Sequence, residues 1–454
     1  MAMKKCITIP CLMAAAGLSL PAITQAAGFA ITEQNATGLG TAYADMATGN
    51  GNASGMFFNP AAMNLLPGSQ LSGGLIYIDP RFQLHDGKSI TPLHTSISGG
   101  DGGNAGVAAP VPNFFITHAI DLRWHIGFGI SVPYGLSTKY NAGWLGRYHA
   151  IDSRVDVINL NPAFSYQATQ RLSLGFGIDV QYAKAHLTSA VDSGSLCYGA
   201  ALRGQVPGGI STCKAYGLTP GNAAADGKAT VNGSDWAVGW NAGLLWQASP
   251  ATRVGLTYRA AVDHTLKGSV DYVGIPRLLA SNPQLANSSA YAALNLPATA
   301  NLGVSQKISP RWTLLADLLW TQWSRFKELR VVKDNGQPSL VTTENWKDTW
   351  RITVGARYKQ NQRLTWRMGV AYDPTPVPNA QHRTARLPDS DRTWLSLGIG
   401  YVINPRVTLD VAYTHIWFPS AAIDNTTEGA YKNTLTGNYT GSVDMLGAQV
   451  SYRF

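Results

Sequence analysis

The sequence predicts an all-β protein, a 14-stranded antiparallel transmembrane β-barrel plugged by an N-terminal hatch. Three observations lead there. The first is alternation: Leu172, Leu174, Phe176, Ile178, Val180 and Tyr182 interleave with Ser173, Gly175, Gly177, Asp179 and Gln181. Successive strand side chains point to opposite faces, so one face here is apolar and the other small or polar. In a membrane barrel the first set meets lipid and the second lines the lumen. The second observation is that aromatic residues recur at strand ends, as with Trp236 and Trp246, Trp312 and Trp320, or Trp366 and Tyr372. That spacing suits girdles at two interfaces. The third is that short polar turns alternate with long connections, as hairpins threading a membrane require.

Composition narrows the alternatives. Of 454 residues only 13% are charged and 47 are glycine. No run of 18 apolar residues follows residue 26, which argues against helical spans. Residues 1–26 carry Lys4 and Lys5, then an apolar stretch, then Thr24-Gln25-Ala26. This is the pattern of a cleaved signal peptide. Cys6 and Cys11 fall inside it. Without its two lysines the formal charge drops from +9, and an exported basic chain meets anionic lipopolysaccharide, outer-membrane lipid or anionic ligands rather than nucleic acid. Cys197 and Cys213 lie in a polar, Gly-rich segment of that exported chain, and a disulfide in an exterior loop is the expected reading. No metal site is expected from two cysteines at this spacing.

Taken in order, residues 27–68 fit neither helix nor strand. Gly, Ala, Asn and Thr crowd the stretch, and Asn59-Pro60-Ala61 beside Phe57 and Phe58 reads as a packed turn. A Gly-rich insert ahead of a barrel is most simply its plug, the hatch. Residues 69–454 are then the barrel wall. Strands are expected at 69–78, 112–119, 123–132, 155–166, 172–182, 235–247, 253–265, 296–306, 311–323, 348–359, 363–373, 392–403, 406–417 and 441–454. The tight turns fall near 119–123, 167–171, 248–252, 307–310, 360–362 and 404–405. They face one side, and long segments such as 183–234 face the other. Leu446, Ala448, Val450, Tyr452 and Phe454 share one face of the last strand. A terminal amphipathic strand closing on an aromatic resembles the signal read by the barrel assembly machinery.

Several stretches carry a family resemblance. "AGFAITEQNATGLGTAYA" and "FFNPAAM" resemble the hatch of the outer-membrane long-chain fatty acid transporter family, to which hydrocarbon uptake channels also belong. "VPNFF", "PYGLSTKY", "GRYHA", "LNPAFSY", "WNAGLLW", "LNLPATANLG" and "WRITVGARY" follow in order, so the resemblance spans essentially the whole mature chain. It implies a monomeric channel in the bacterial outer membrane that takes up hydrophobic molecules by diffusion, with no cofactor. Fatty acids are the expected ligand, neutral hydrocarbons the alternative, and a nonspecific porin the more distant one. It also implies a kinked third strand that opens a lateral gap. Gly127, Gly129 and Pro133, which weaken and bend a strand, stand there. Some members carry basic residues where this chain has Ser189 and Thr342.

Candidate residues follow from the alternation. Arg351, Arg357 and Arg367 point inward on neighbouring strands, with Asp317, Leu315 and Leu319 on the same face of the strand before. A guanidinium fork suits a carboxylate, so this sector is either an ion-pair network between strands or a site for a fatty carboxylate. In the second reading Leu315, Leu319 and Phe29 take the tail. Tyr134, Leu136 and Trp144, with Tyr140 and Leu145, supply apolar surface for capture among the exterior loops. Gating is expected at Ala27, Gly28, Phe29, Asn59, Pro60 and Ala61 and at Gly127, Gly129 and Pro133. Two sets invite a catalytic reading, His415 with Ser420 and Asp424, and His118 with Asp121. Neither sits in a nucleophile motif, so no enzyme is expected.

Overall fold

The computed structural model describes residues 28–428 and 432–454. The expected leader at 1–26 and the candidate residue Ala27 lie outside them. Among the described residues the strands are β1 (Ser69–Ile90), β2 (Ala109–Ala119), β3 (Trp124–Lys139), β4 (Asp152–Gln167), β5 (Leu172–Val191) and β6 (Gly227–Gln247). Next come β7 (Thr252–Arg259), β8 (Val262–Val273), β9 (Ser288–Leu296), β10 (Thr299–Lys307), β11 (Trp312–Thr321), β12 (Glu328–Lys333) and β13 (Leu340–Thr343). The last are β14 (Thr349–Lys359), β15 (Leu364–Asp373), β16 (Arg392–Asn404), β17 (Val407–Asn425) and β18 (Thr434–Arg453).

All join one antiparallel sheet that closes on itself where β1 pairs β18 from Gln70↔Arg453 to Ile90↔Thr434. Closure leaves no edge of unpaired backbone to face lipid. The wall is a closed 14-strand barrel, because some segments share a position in it. β7 and β8 together flank β6, and β9 and β10 together flank them in turn. Pro297, which has no N–H to give a ladder, separates β9 from β10. β12 and β13 form a hairpin between β11 and β14 that docks on β9 through Val331↔Ala292.

The fourteen expected positions are all present, and the differences lie at the exterior ends. β5 and β6 continue well past 182 and before 235, pairing as far as Val191↔Gly227. The hairpin β12–β13 was not expected. Neither were two short helices in the connection between β5 and β6, α1 (Ser193–Leu202) and α2 (Gly209–Ala215). Asp192 caps α1, its Oδ1 accepting from the Ser195 N–H at 2.8 Å. The lipid-facing aromatics meet across strands, as in Trp312 against Tyr358 at 4.7 Å and Trp124 against Tyr166 at 4.6 Å. Such cross-strand pairs stabilise a sheet beyond its ladder.

Candidate functional site

Residues 28–68 run around the inside of this wall. Following the chain, Leu39 packs at Gly447 of β18, Gly40 at Gly398 of β16 and Thr41 at Gly369 of β15. Ala44 then meets Gly355 of β14, Ala47 meets Gly303 of β10 and Gly255 of β7, Asn59 meets Gly243 of β6, and Ala61 meets Gly175 of β5. Met56 and Met63 reach Gly127 of β3. At each of these glycines a Cβ would strike the segment. The inner face is therefore glycine where the segment touches it, which accounts for part of the chain's glycine content. The segment's own structure is short turns capped by asparagines. The Asn59 Oδ1 accepts from the Ala61 N–H at 2.9 Å while its Nδ2 donates to the Ala47 carbonyl at 2.6 Å.

Charged side chains of the wall hold the segment. Arg351 is buried, donates to the Ala42 carbonyl at 2.7 Å and stacks 4.3 Å over the Trp394 ring. Arg357 and Arg367 stand opposite each other across β14 and β15, and each has its own carboxylate. Arg357 pairs with Asp45 of the segment at 2.8 Å, and Arg367 with Asp410 of β17 at 2.7 Å. Asp317 accepts from the Ala47 N–H at 3.4 Å. Arg259, which the sequence did not single out, pairs with Asp179, donates to the Phe57 carbonyl at 2.6 Å and covers the Phe57 ring. Leu315 is buried and Leu319 packs against the core that holds Ala42 and Trp394, and β11, which carries both and Asp317, pairs with β14, the strand of Arg351 and Arg357.

Phe29 ends the segment in an aromatic cage. Its ring lies 5.0 Å from Trp323, 5.4 Å from Phe326, 5.8 Å from Trp346 and 6.0 Å from Tyr134. Leu136, Leu294 and Leu296 complete the same cluster. The Tyr134 hydroxyl donates to the Pro297 carbonyl at 3.1 Å, which fixes its ring. Trp323, Phe326 and Trp346 were missed by the sequence reading, although "WTQWSRF" crowds aromatics just after a strand.

One expectation is corrected here. Tyr134, Leu136, Tyr140, Trp144 and Leu145 were read as exposed capture surface, and all five are buried. Trp144 stacks on Tyr140 at 3.9 Å and donates its indole N–H to the Ala150 carbonyl at 2.7 Å. An open groove lies elsewhere. It measures about 680 Å³, runs between α1 and the connection from β8 to β9, and mixes apolar Leu93, Leu196 and Leu278 with polar Arg203, Gln205 and Gln284. That volume is typical of small-molecule sites. Cys197 of α1 and Cys213 of α2 are joined by a disulfide, with Cα atoms 5.9 Å apart. Inward of the groove, cavities of about 60 and 30 Å³ share Leu187, Val231, Leu329 and Val331. Leu329 packs in turn on the cage cluster, so apolar packing continues from these cavities to Phe29. Ser189, Thr342 and Arg386 border the larger cavity. Arg386 is committed to Glu428 and to the His149 carbonyl.

The wall is interrupted beside Phe29. The ladder of β2 with β3 stops at Phe114↔Ile130, although β3 runs on to Lys139. A bulge displaces β3 between Ser131 and Tyr134, around Pro133. Over that stretch the segment takes the vacant edge, with the Ile31 N–H donating to Pro133 and the Gly135 N–H to Phe29. Gly129 lies where a Cβ would meet the Phe115 ring. The two histidine sets do not assemble as catalytic groups. His415 pairs with Asp444 at 2.7 Å and His118 contacts the Ser69 hydroxyl at 2.8 Å.

The comparisons with known proteins agree with this geometry. Residues 17–454 match the model of the family described as outer membrane protein transport protein (OMPP1/FadL/TodX). The chain is 30% identical over 441 residues to the long-chain fatty acid transport protein of Shigella flexneri, covering 94% of each. It is also 28% identical over 469 residues to outer membrane protein P1 of Haemophilus influenzae, covering 98% of each. The crystal structure of a Pseudomonas aeruginosa FadL homologue superimposes with a TM-score of 0.84 at 26% identity, covering 94% of this chain and 100% of that one. The Ralstonia pickettii toluene transporter TbuX shares the fold, with a TM-score of 0.62 at 21% identity, covering 92% and 98%. The closed barrel and its aromatic-girdled outer face agree with the family match over residues 17–454: the chain belongs to the outer membrane protein transport family, whose members are channels and not enzymes, and is an outer-membrane channel for hydrophobic molecules.

Proposed function

We propose that this channel takes up long-chain fatty acids by diffusion, with residues 27–68 acting as a movable hatch within the wall formed by 69–454. The observation that carries the reading is Phe29 in its cage of Trp323, Phe326, Trp346 and Tyr134. An apolar side chain of the hatch fills the end of an apolar path, where an alkyl chain would be equally at home. The ligand enters at the groove beside α1, moves down past Leu187 and Leu329, and displaces the ring. Phe29 and Ala30 then withdraw from the β3 edge, and the ligand leaves sideways where the β2–β3 ladder is missing, past Gly127, Gly129 and Pro133. Apolar transfer from water drives capture, so no ATP or cofactor enters the scheme.

In this scheme Arg351 and Arg357 fasten the hatch and Arg367 ties β15 to Asp410 of β17, because each already has a protein oxygen to bond. Names of relatives support fatty acids, as with the Shigella flexneri protein. One observation favours neutral hydrocarbons instead. Ser189 and Thr342 at the inner cavity are uncharged, and the Arg386 beside them is paired. Uptake of labelled oleate and of toluene by a strain lacking its own transporter, with and without this protein, separates the two. Oleate uptake that depends on the protein supports the proposal, and toluene uptake alone overturns it.

A further inference from the structure

Among the described residues Lys333 is a cation without a carboxylate partner, and it touches one residue of the exterior groove's lining and one of the inner cavity's. It sits in the exterior hairpin, on the last position of β12, and is only 5% exposed. Its ammonium donates to the Gln284 carbonyl at 3.3 Å, and Gln284 lines the exterior groove. On another side the amine stands 6.0 Å from the centre of the Tyr272 ring, and Tyr272 lines the inner cavity. No carboxylate forms an ion pair with it among the described residues. Burial accordingly pushes the Lys333 amine below its ordinary value. An ammonium has three donors, and one carbonyl and one ring face leave it under-satisfied in a largely apolar site. At the inner cavity Arg386 is paired with Glu428, and at the groove Arg203 bonds the Gln205 amide oxygen.

We propose that Lys333 receives the carboxylate of an amphiphilic ligand as its tail passes from the groove into the inner cavity. The inference rests on the fatty acid reading above and assigns the head-group contact within it. An anion here would supply both the charge and the acceptors that the protein omits. It also gives the path a polar waypoint, holding the head while the tail fills the apolar surface beyond Val331. A charge-assisted hydrogen bond of this kind changes affinity by roughly tenfold to a hundredfold.

The test uses the full barrel in lipid nanodiscs, with tritiated oleate and oleyl alcohol as probes and Lys333→Met and Lys333→Arg as variants. Methionine keeps the stem's packing and removes the charge. The expected result is at least a tenfold loss of oleate affinity in Lys333→Met, unchanged oleyl alcohol binding, and Lys333→Arg close to wild type. Oleate binding by Lys333→Met at wild-type strength overturns the assignment. So does an equal loss for both probes, which would make Lys333 a staple between β12 and the Gln284 connection. Wild-type protein that binds oleyl alcohol but not oleate would instead defeat the fatty acid reading itself, and this proposal with it.

Discussion

Arg357 of the barrel wall donates to Asp45 of the N-terminal segment at 2.8 Å, while its neighbour across the ladder, Arg367, is held by Asp410. Two arginines in register on adjacent strands repel unless each has its own anion. Asp45 therefore does two things at once, separating like charges on the wall and pinning the segment to it. Arg357→Gln leaves Asp45 buried without its cation. Because the arginine is about one-fifth exposed, the loss should be near 2 kcal/mol rather than the full cost of a dry pair. The barrel should still assemble, while single-channel recording should show more frequent ion leakage. If the arginines instead bind ligand, the same variant will weaken oleate binding and spare the matching alkane.

Phe29→Ala tests whether ring and ligand compete. Truncating a buried phenylalanine typically costs about 3 kcal/mol, and here that stabilisation is what an entering alkyl chain must replace. Oleate should bind more tightly to the variant in equilibrium measurements on reconstituted protein. Weaker binding would mean that the Phe29 ring forms part of the ligand's wall.

Much of this was legible from alternation alone. The inward placing of Arg351, Arg357 and Arg367 follows from a strict period of two, because a strand offers each residue only two faces. Their partners did not follow. Asp45 and Asp410 are distant in sequence, and no local pattern says which carboxylate the fold will deliver. Gly175 reads as a small lumen residue, and only the path of residues 39–61 explains why it and Gly369 carry no Cβ. The strand ends were misjudged outside the membrane. There the wall continues as β5 and β6 without lipid on one face, so the apolar alternation fades while the ladder persists. Trp144 misled for a related reason, since an aromatic in a loop reads as exposed until Tyr140 is found stacked on it.

The disulfide should matter to capture more than to assembly. In the chain-entropy model, closing a loop of about 15 residues contributes roughly 3 kcal/mol. Cys197 and Cys213 tie α2 to α1, the helix that flanks the groove. Replacing both with alanine should raise hydrogen exchange across 193–215 and weaken oleate capture several-fold, with heat-modified gel mobility unchanged. Free thiols at both positions in protein isolated from the envelope would show that the native loop is not bridged.

Glu344 supplies a pH dependence. Burial and then the nearby Glu428 carboxyl push it up to about 8, and its Oε2 accepts from the Trp346 indole at 3.0 Å. A carboxyl whose folded value is raised binds its proton more tightly in the folded state. Its contribution is therefore complete below the ordinary value of 4.5 and is lost as pH rises toward about 8. Trp346 belongs to the Phe29 cage, so hydrogen-exchange protection around Trp346, with the intrinsic pH dependence of amide exchange divided out, should fall between pH 5 and 8. Glu344→Gln should remove most of that trend. An unchanged trend in the variant would assign it to another group.

The hatch can be tested by tying it down. A barrel's closed ladder cannot open cheaply, whereas a segment held by turns, carbonyl contacts and one or two ion pairs can rearrange at modest cost. Ala36 offers a place to fix it, because a Cβ added at Gly447 of β18 would lie 3.2 Å from the Ala36 Cβ. That approaches the separation a disulfide needs. The pair Ala36→Cys and Gly447→Cys should therefore oxidise once the Leu39 side chain, 3.0 Å from the added Cβ, shifts aside. Oleate uptake by cells carrying the tethered protein should fall sharply and return after reduction, while each single variant transports normally. Asn59→Ala should do the opposite, loosening the hatch by removing the Oδ1 contact to Ala61 and the Nδ2 contacts to Ala47 and to Leu244 of β6, while every strand residue stays as it is. Uptake at the normal rate by the tethered protein would make residues 27–68 a passive filler, and the ligand's route would then have to bypass them.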